Sequence, residues 1–389
     1  MTKRRFVGLA FAVTLAASAS VPASAQDTVK IGLVLPMTGP FASTGRQIDA
    51  AVKVYMAKHG STVAGKKIEV ILKDDGGTAD NTRRIAQELV VNDKVAFLAG
   101  FGLTPLALAT APVATQGKVP MIVMAAATSA IVEQSPFIVR TGFQLPQITA
   151  PMADYAAKNG MKKIVTLVTD YGPGIDAETQ FKKTFTAAGG TIAAELRVPI
   201  KNPDFAPFLQ RVRDASPDAL FVFVPSGVGA IFMKQFAERG LDKSGIKLIG
   251  TGDVTDDDIL NDMGDVALGV VNTMHYSAAH PSALNKEYVA SMRKTANLRA
   301  NFHSVGGYDG MHLIYKALEA TKGNTNGEAL VEAMKGMTWE SPRGPMLIER
   351  DTRDVTQNVY VRRVEKVSGE LYNVEFATIP MVKDPAKQK

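Results

Sequence analysis

The most informative absence in this chain is cysteine, since none occurs among its 389 residues. Disulfide bonds, thiolate catalysis and zinc sites built from cysteine thiolates are therefore excluded. A lipid anchor attached through an N-terminal cysteine is excluded as well. A hydrophobic fraction of 46% still supplies the apolar material for a core that needs no cross-links.

Sequence signals for common enzyme classes are missing as well. The five histidines show no H-E-x-x-H spacing for a metal, and no G-x-S-x-G turn marks a secreted esterase. Residues 60–66 begin like a phosphate loop, but Lys67 stands where that motif needs Ser or Thr, and the run precedes a strand. A dinucleotide fingerprint starting at Gly100 fails because Pro105 occupies the place of its third glycine. We therefore expect no catalytic residue, no cofactor and no metal.

Charge and hydropathy argue against two classes of partner. No dense Lys/Arg tract with interleaved aromatic residues is present, which argues against nucleic acid. A membrane-spanning helix needs about 20 apolar residues, and no run of that length occurs. With 389 residues, the chain exceeds the ~250–300 at which single cores stop growing, so we expect two domains.

The N-terminus has the order of an export signal. Three basic residues at 3–5 precede an apolar stretch at 6–16, and the small residues of 23–25 (ASA) follow. The apolar stretch is too short to span a membrane, which takes about 20 residues. We predict a signal peptide at residues 1–25, cleaved after Ala25, and a monomeric protein released into the periplasm.

The rest of the chain alternates strands and helices in two similar units. The first has predicted strands at 29–35, 68–72, 95–99 and 121–124, with helices around 48–55 and at 80–91. The second has predicted strands at 164–168, 192–198 and 219–224, with helices at 178–188 and 205–214. In both units the second and third strands begin 27 residues apart, from 68 to 95 and from 192 to 219. This alternation predicts an α/β fold with parallel sheets covered on both faces.

The C-terminal part is too short for a third unit. It contains a helical stripe at 311–318 and two paired strands at 358–364 and 371–376, joined through Ser368-Gly369. We expect it to complete the sheets of the first two units. The chain would then cross between the units more than once.

A ligand of such sheets binds in the crevice outside the carboxyl ends of the strands. In the first unit the loop 36–45, which includes Thr44, follows the first strand, Thr104 follows the third, and Thr128 follows the fourth. Two helix starts that open on one crevice make an anion site suited to a carboxylate. Alternatively, the two threonines cap their own helices, and the sequence leaves both interpretations open.

The second unit offers matching positions. Tyr171 follows its first strand and could cover an apolar ligand or simply pack in its loop. Ser226 follows the third strand, and Asp253, after the fourth, could accept a hydrogen bond from a ligand. The three aspartates at 256–258 are interpreted as a helix start, where carboxylates suit the macrodipole.

In their order and spacing, these segments resemble the leucine/isoleucine/valine-binding proteins, type I periplasmic solute receptors of ABC transporters. The resemblance covers essentially the whole mature chain and rests on 31–45 (IGLVLPMTGPFASTG), 73–75 (KDD), 125–128 (AAAT), 171–172 (YG) and 308–309 (YD). It implies two Rossmann-like lobes joined by a three-crossover hinge that close around a ligand. Lobe 1 would comprise 26–146 plus 277–348, and lobe 2 would comprise 147–276 plus 349–389.

The resemblance also implies roles for individual residues in the first lobe and the lid. Thr104 corresponds to the hydroxyl residue that holds a ligand carboxylate, and Ala126 and Thr128 correspond to contact residues of the next loop. Tyr171 corresponds to the aromatic lid.

The second lobe departs from the pattern of the amino-acid binders. Where they place a glutamate for the ligand's ammonium, this chain has Gly252, with Asp253 one step away. Where they place a second aromatic residue, it has Ser226. Because a buried unpaired ammonium is costly, the chain looks closer to the aromatic-acid receptors of the family.

Apolar residues complete the predicted site. Phe101 and Leu103 are candidates for its wall, while Phe41 is assigned to ordinary packing. The ligand-binding candidates are therefore Thr44, Phe101, Leu103, Thr104, Ala126, Thr128, Tyr171, Ser226, Gly252 and Asp253.

These features predict a periplasmic solute-binding protein that traps a small carboxylate, an aromatic acid, and delivers it to a membrane permease of an ABC importer. Two alternatives remain open at this point. One is a receptor for branched-chain amino acids or amides, and the other is a ligand-loaded partner of a periplasmic chemosensor.

Overall fold

The computed structural model describes residues 27–388. The predicted signal peptide and its cleavage after Ala25 lie outside this range. Between residues 27 and 388, no helix combines the length and the apolar character needed to cross a bilayer.

The first unit is built on a six-stranded sheet. Its strands are β1 (Thr28–Leu35), β2 (Thr62–Val63), β3 (Lys66–Asp74), β4 (Phe97–Gly100), β5 (Met121–Val123) and β6 (Ile138–Arg140). They follow the order β2-β3-β1-β4-β5-β6, and every pair except β2–β3 is parallel. The connecting helices are α1 (Ala42–His59), α2 (Ala79–Val91) and α3 (Thr104–Gly117).

The second unit has a larger mixed sheet. Its parallel strands are β7 (Lys163–Thr169), β8 (Thr191–Val198), β9 (Ala219–Phe223), β10 (Lys247–Thr251) and β11 (Val271–Met274). Its helices are α4 (Leu145–Lys158), α5 (Gly172–Ala187), α6 (Ala206–Ala215), α7 (Gly229–Glu238) and the short α8 (Leu260–Met263). The strands and helices predicted from the sequence in both units are thus present, within a few residues at their ends.

The C-terminal part divides its elements between the two units. Its helices are α9 (Ala283–Ala296), α10 (Phe302–Ala320) and α11 (Gly327–Met334), and α10 packs along α1 of the first unit. Its strands β12 (Thr338–Ser341), β13 (Gly344–Ile348), β14 (Val355–Val367) and β15 (Glu370–Val382) all join the second sheet. The expectation that this part completes both sheets is therefore wrong for the first sheet, which receives helices instead of strands.

Two details of this part bear on the predictions. Ser368 and Gly369 both have positive φ, 51° and 89°, which suits the tight turn of the β14–β15 hairpin. The β12–β13 hairpin pairs with β14, yet its Trp339 Nε1 donates a hydrogen bond to Asp309 Oδ1 of α10 at 2.8 Å. The hairpin thus contacts both units, and the lobe boundary at residue 348 stays a prediction.

The burial of the strands explains why they fold as they do. In β1, Ile31, Leu33 and Leu35 are each at most 1% exposed, because helices cover both faces of a parallel sheet. All five residues of β9 are buried for the same reason. The rigid sheets hold the ends of the strands, and the loops that follow them, in fixed positions.

Candidate ligand site between the two sheets

The carboxyl ends of the parallel strands in both sheets face one crevice. The loops that follow β1, β4 and β5 line one side of it, and those that follow β7, β9 and β10 line the other. The enclosed space is about 360 Å³, at the small end of the range for ligand pockets. Seven of the ten predicted site residues line it: Thr44, Leu103, Thr104, Ala126, Tyr171, Ser226 and Asp253.

The other three predicted residues do not line the cavity. Phe101 is fully buried in the core of the first unit, so its assignment to the apolar wall is not supported by its position. Thr128 lies behind Thr104, and Gly252 lies behind Asp253. Phe41 does line the cavity, so the assignment of this residue to ordinary packing is wrong.

Thr104 and Thr128 bond to each other instead of capping helices. Their hydroxyl oxygens are 2.9 Å apart, and neither side chain makes a capping hydrogen bond at the start of α3 or of the 3₁₀ helix Ser129–Gln134. The interpretation as simple caps is thereby excluded. One of the two O–H groups serves the mutual bond, and the other is available to an anion. The first amides of α3 have no intrahelical acceptor and add positive potential at the same place.

The lid helix α5 begins directly against this pair. A Cβ added at Gly172 would lie 2.6 Å from Thr128 Oγ1 and 3.4 Å from Thr104 Cγ2, so only glycine permits this approach. The Tyr171 ring stacks beside Phe223 with ring centres 6.1 Å apart. Burial raises the pKa of Tyr171 well above its usual value, so its hydroxyl remains a neutral donor.

Sequence reasoning missed several residues of the cavity wall. Phe143, Leu145, Phe223 and His303 also line it. Phe223 ends β9 and was within reach of the strand-end rule. Phe143 was missed because β6 was not predicted, and His303 because it is brought in by α10, far along the chain.

His303 is held by the capping of α10. The Asn301 side chain accepts hydrogen bonds from the amides of His303 and Ser304 at 3.1 and 2.9 Å. Burial lowers the pKa of His303 to about 3, so the ring is neutral near pH 7. Its Nδ1 has no hydrogen-bond partner among the described residues, which leaves a polar atom at the cavity.

On the opposite side, Asp253 is the acidic group of the cavity. It is 4% exposed, and its Oδ2 accepts a hydrogen bond from Thr251 Oγ1 at 2.8 Å. Burial raises its pKa to about 7, although the charge of Arg362 acts in the other direction. A Cβ added at Gly252 would overlap Nη2 of Arg362, so position 252 has no room for an acidic side chain.

Hydrogen bonds join the two units on both sides of the cavity. The Asp256 carboxylate accepts two from Asn301 Nδ2 at 2.9 and 3.0 Å. Asp258 Oδ1 accepts one from Gln47 Nε2 at 2.9 Å, and Asp258 Oδ2 accepts one from Ser43. On the other side, Asp176 Oδ2 accepts one from the Ser129 amide at 2.8 Å. The structure is therefore a closed arrangement of the two units.

The aspartates at 256–258 do not begin a helix, which corrects the sequence interpretation. They lie in turns before α8, and Asp256 and Asp257 are at most 2% exposed. Asp257 lies 3.9 Å from Arg362, and Asp256 and Asp258 contact the first unit. No group of side chains in the described part of the chain is arranged to hold a metal ion.

Asp256 gives a testable pH dependence of stability. Burial raises its pKa in the folded protein to about 8, whereas an aspartate in an unfolded chain titrates near about 4. The folded state thus binds this proton more tightly, so its stabilising effect is present at low pH and is lost as the pH rises from about 4 to about 8. We expect Asp256→Asn to become more stable relative to the original protein between pH 5 and pH 8, by at least about 1 kcal/mol.

Urea unfolding at both pH values measures this difference. The exposed Asp214→Asn variant is the matched control and should follow the original protein at each pH. Equal pH dependence of the original protein and Asp256→Asn would contradict this account of Asp256.

Comparisons with known proteins agree with this geometry. Residues 28–369 match the family described as "Periplasmic binding protein". A relative named Leu/Ile/Val-binding protein homolog 6 from Brucella melitensis is 45% identical over 381 residues, which cover 96% of this chain and 98% of that protein.

Solved structures show the same fold with ligands in place. A solute-binding protein of an ABC transporter from Rhodopseudomonas palustris BisB5, in complex with 3,4-dihydroxybenzoic acid, is 65% identical with a TM-score of 0.92, covering 93% of this chain and 100% of that one. A second, from Rhodopseudomonas palustris HaA2 in complex with p-hydroxybenzoic acid, is 42% identical with a TM-score of 0.91, covering 93% and 99%. A leucine-binding protein from Thermotoga maritima, 24% identical with a TM-score of 0.81 and coverage of 91% and 99%, shares the fold.

Proposed function

The chain belongs to the periplasmic binding protein family, the solute-binding proteins of ABC transporters, and from that premise we propose that its ligand is a small aromatic carboxylic acid. The observation that carries this proposal is the Thr104–Thr128 pair at the start of α3, facing a cavity walled by aromatic rings. The helix start and the free hydroxyl suit a carboxylate. Phe41, Phe143 and Phe223 suit a ring.

The relatives support the same ligand class. Two of the structures similar to this chain hold hydroxylated benzoic acids. The Brucella relative carries a branched-chain amino acid name, which keeps that alternative as a second candidate. Against it stands Gly252, which provides no carboxylate for an ammonium group.

We further propose how the protein works. The lobes, 26–146 plus 277–348 and 147–276 plus 349–389, open and close about the crossovers, with the β12–β13 hairpin between them. Closure brings Asp256, Asp258 and Asp176 to their partners and hides the ligand from water. The closed protein, a monomer in the periplasm after cleavage at Ala25, presents its ligand to a membrane permease and carries out no catalysis itself.

A calorimetric titration of the mature protein with a small ligand panel tests the ligand class. We expect 4-hydroxybenzoate and 3,4-dihydroxybenzoate to bind at least about a hundredfold more tightly than leucine, a difference of about 2.7 kcal/mol. Tighter binding of leucine than of every aromatic acid would contradict the proposal and favour the amino-acid alternative.

A variant at Thr104 tests the carboxylate site. Thr104→Val removes a hydrogen bond to a charged group, which contributes about 1.5–3 kcal/mol, so affinity for 4-hydroxybenzoate should fall roughly 10- to 150-fold. Thr104→Ser keeps the hydroxyl and should bind within a few-fold of the original protein. Thr186→Val, at an exposed threonine of α5, is the control for the chemical change alone. Unchanged affinity in Thr104→Val would remove this residue from the site.

A further inference from the structure

The second-sheet side of the cavity contains an acceptor whose partner is missing. Asp253 is nine-tenths buried and uses Oδ2 for Thr251, while its Oδ1 has no hydrogen-bond partner in residues 27–388. A buried carboxylate oxygen without a partner is costly. A donor on the ligand would satisfy it. This inference rests on the proposed function, since it concerns the far end of the same aromatic acid.

A carboxylate can accept a hydrogen bond either from a hydroxyl or from an ammonium group, and Asp253 alone does not decide between them. The residue behind it does. Arg362 is fully buried, and its Nη2 fills the space beside Gly252 where a side chain would begin. That nitrogen has no hydrogen-bond partner within the described chain.

The remaining contacts of Arg362 leave much of its charge uncompensated. Its Nε donates to Asn272 Oδ1 at 2.7 Å, and its Nη1 donates to the Tyr276 carbonyl, both neutral acceptors. The nearest carboxylate, Asp257, is 3.9 Å away, beyond hydrogen-bond distance. The positive charge of Arg362 therefore extends to Asp253, the next residue along from Gly252.

A ligand ammonium on Asp253 would meet this like charge in a dry site, where charges interact more strongly than in water. A neutral hydroxyl would not. We propose that Arg362, acting through Gly252 and Asp253, makes this end of the site select a ring hydroxyl and reject an ammonium group. Arg362 is a positioning residue in this scheme, because it acts on the ligand through Asp253.

Two ligands of the same shape test this selectivity. 4-(Hydroxymethyl)benzoate and 4-(aminomethyl)benzoate differ only in a hydroxyl against an ammonium group. The original protein should bind the hydroxyl compound more than about a hundredfold more tightly, because unpaired or repelled polar groups discriminate strongly in a buried site. In Arg362→Gln, which keeps donors for Asn272 and Tyr276, this ratio should fall at least about tenfold.

The neighbouring exposed arginine provides the control. Arg363→Gln should leave the ratio unchanged. A purely structural role for Arg362 would weaken both ligands together, so an unchanged ratio in a folded Arg362→Gln variant overturns the proposal. Equal binding of the two ligands by the original protein also overturns it.

Asp253→Ala keeps the proposal testable where Arg362→Gln does not fold. This variant should lose at least about tenfold in affinity for 4-hydroxybenzoate and less than about twofold for benzoate, because only the former has a donor for Asp253. Equal losses for both compounds overturn the assignment. Binding of leucine with no aromatic acid would instead refute the proposed function, whereas tight but hydroxyl-indifferent binding of aromatic acids refutes this inference alone.

Discussion

The site depends on the way the parallel strands of two sheets end at one crevice. Each strand end is followed by a loop and, in several cases, by the positive start of a helix, so both sides of the crevice present backbone amides and short side chains. The first side contributes Thr104 and the second contributes Asp253. A ligand with a carboxylate at one end and a neutral donor at the other fits between them, and the aromatic wall fits its body.

Closure of this crevice relies on buried polar contacts instead of a large apolar interface. Asp256 and Asp258 on one side and Asp176 on the other accept hydrogen bonds from the opposite unit. Burial of carboxylates is costly, and the hydrogen bonds they gain offset much of that cost. A closed state of this kind is only weakly favoured by itself, so a bound ligand can decide between the open and closed states. A receptor that must release its ligand needs such a balance.

Much of the fold could be predicted from the sequence because hydrophobic periodicity and strand length are local properties. The two α/β units, the β14–β15 hairpin and the position of the crevice follow from them. Thr104 and Tyr171 were found because they directly follow strands. The mutual bond of Thr104 and Thr128, in contrast, depends on how two loops pack, and local capping preferences gave no information on it.

The remaining misses have the same physical origin. Phe101 follows β4 but turns into the core with a φ of 66°, which no residue pattern indicated. His303 and Arg362 reach the site from the C-terminal part, more than fifty residues from the loops they contact. Gly252 was read as the absence of a glutamate, whereas the structure shows Arg362 in the space that a side chain would need.

The orientation of a bound aromatic acid tests the central claim most directly. In a crystal structure of the complex with 4-hydroxybenzoate, the account predicts the carboxylate within about 3.2 Å of Thr104 Oγ1 and the ring hydroxyl at the same distance from Asp253 Oδ1. A ligand bound outside this cavity, or bound in it with its carboxylate toward Asp253, would contradict the account.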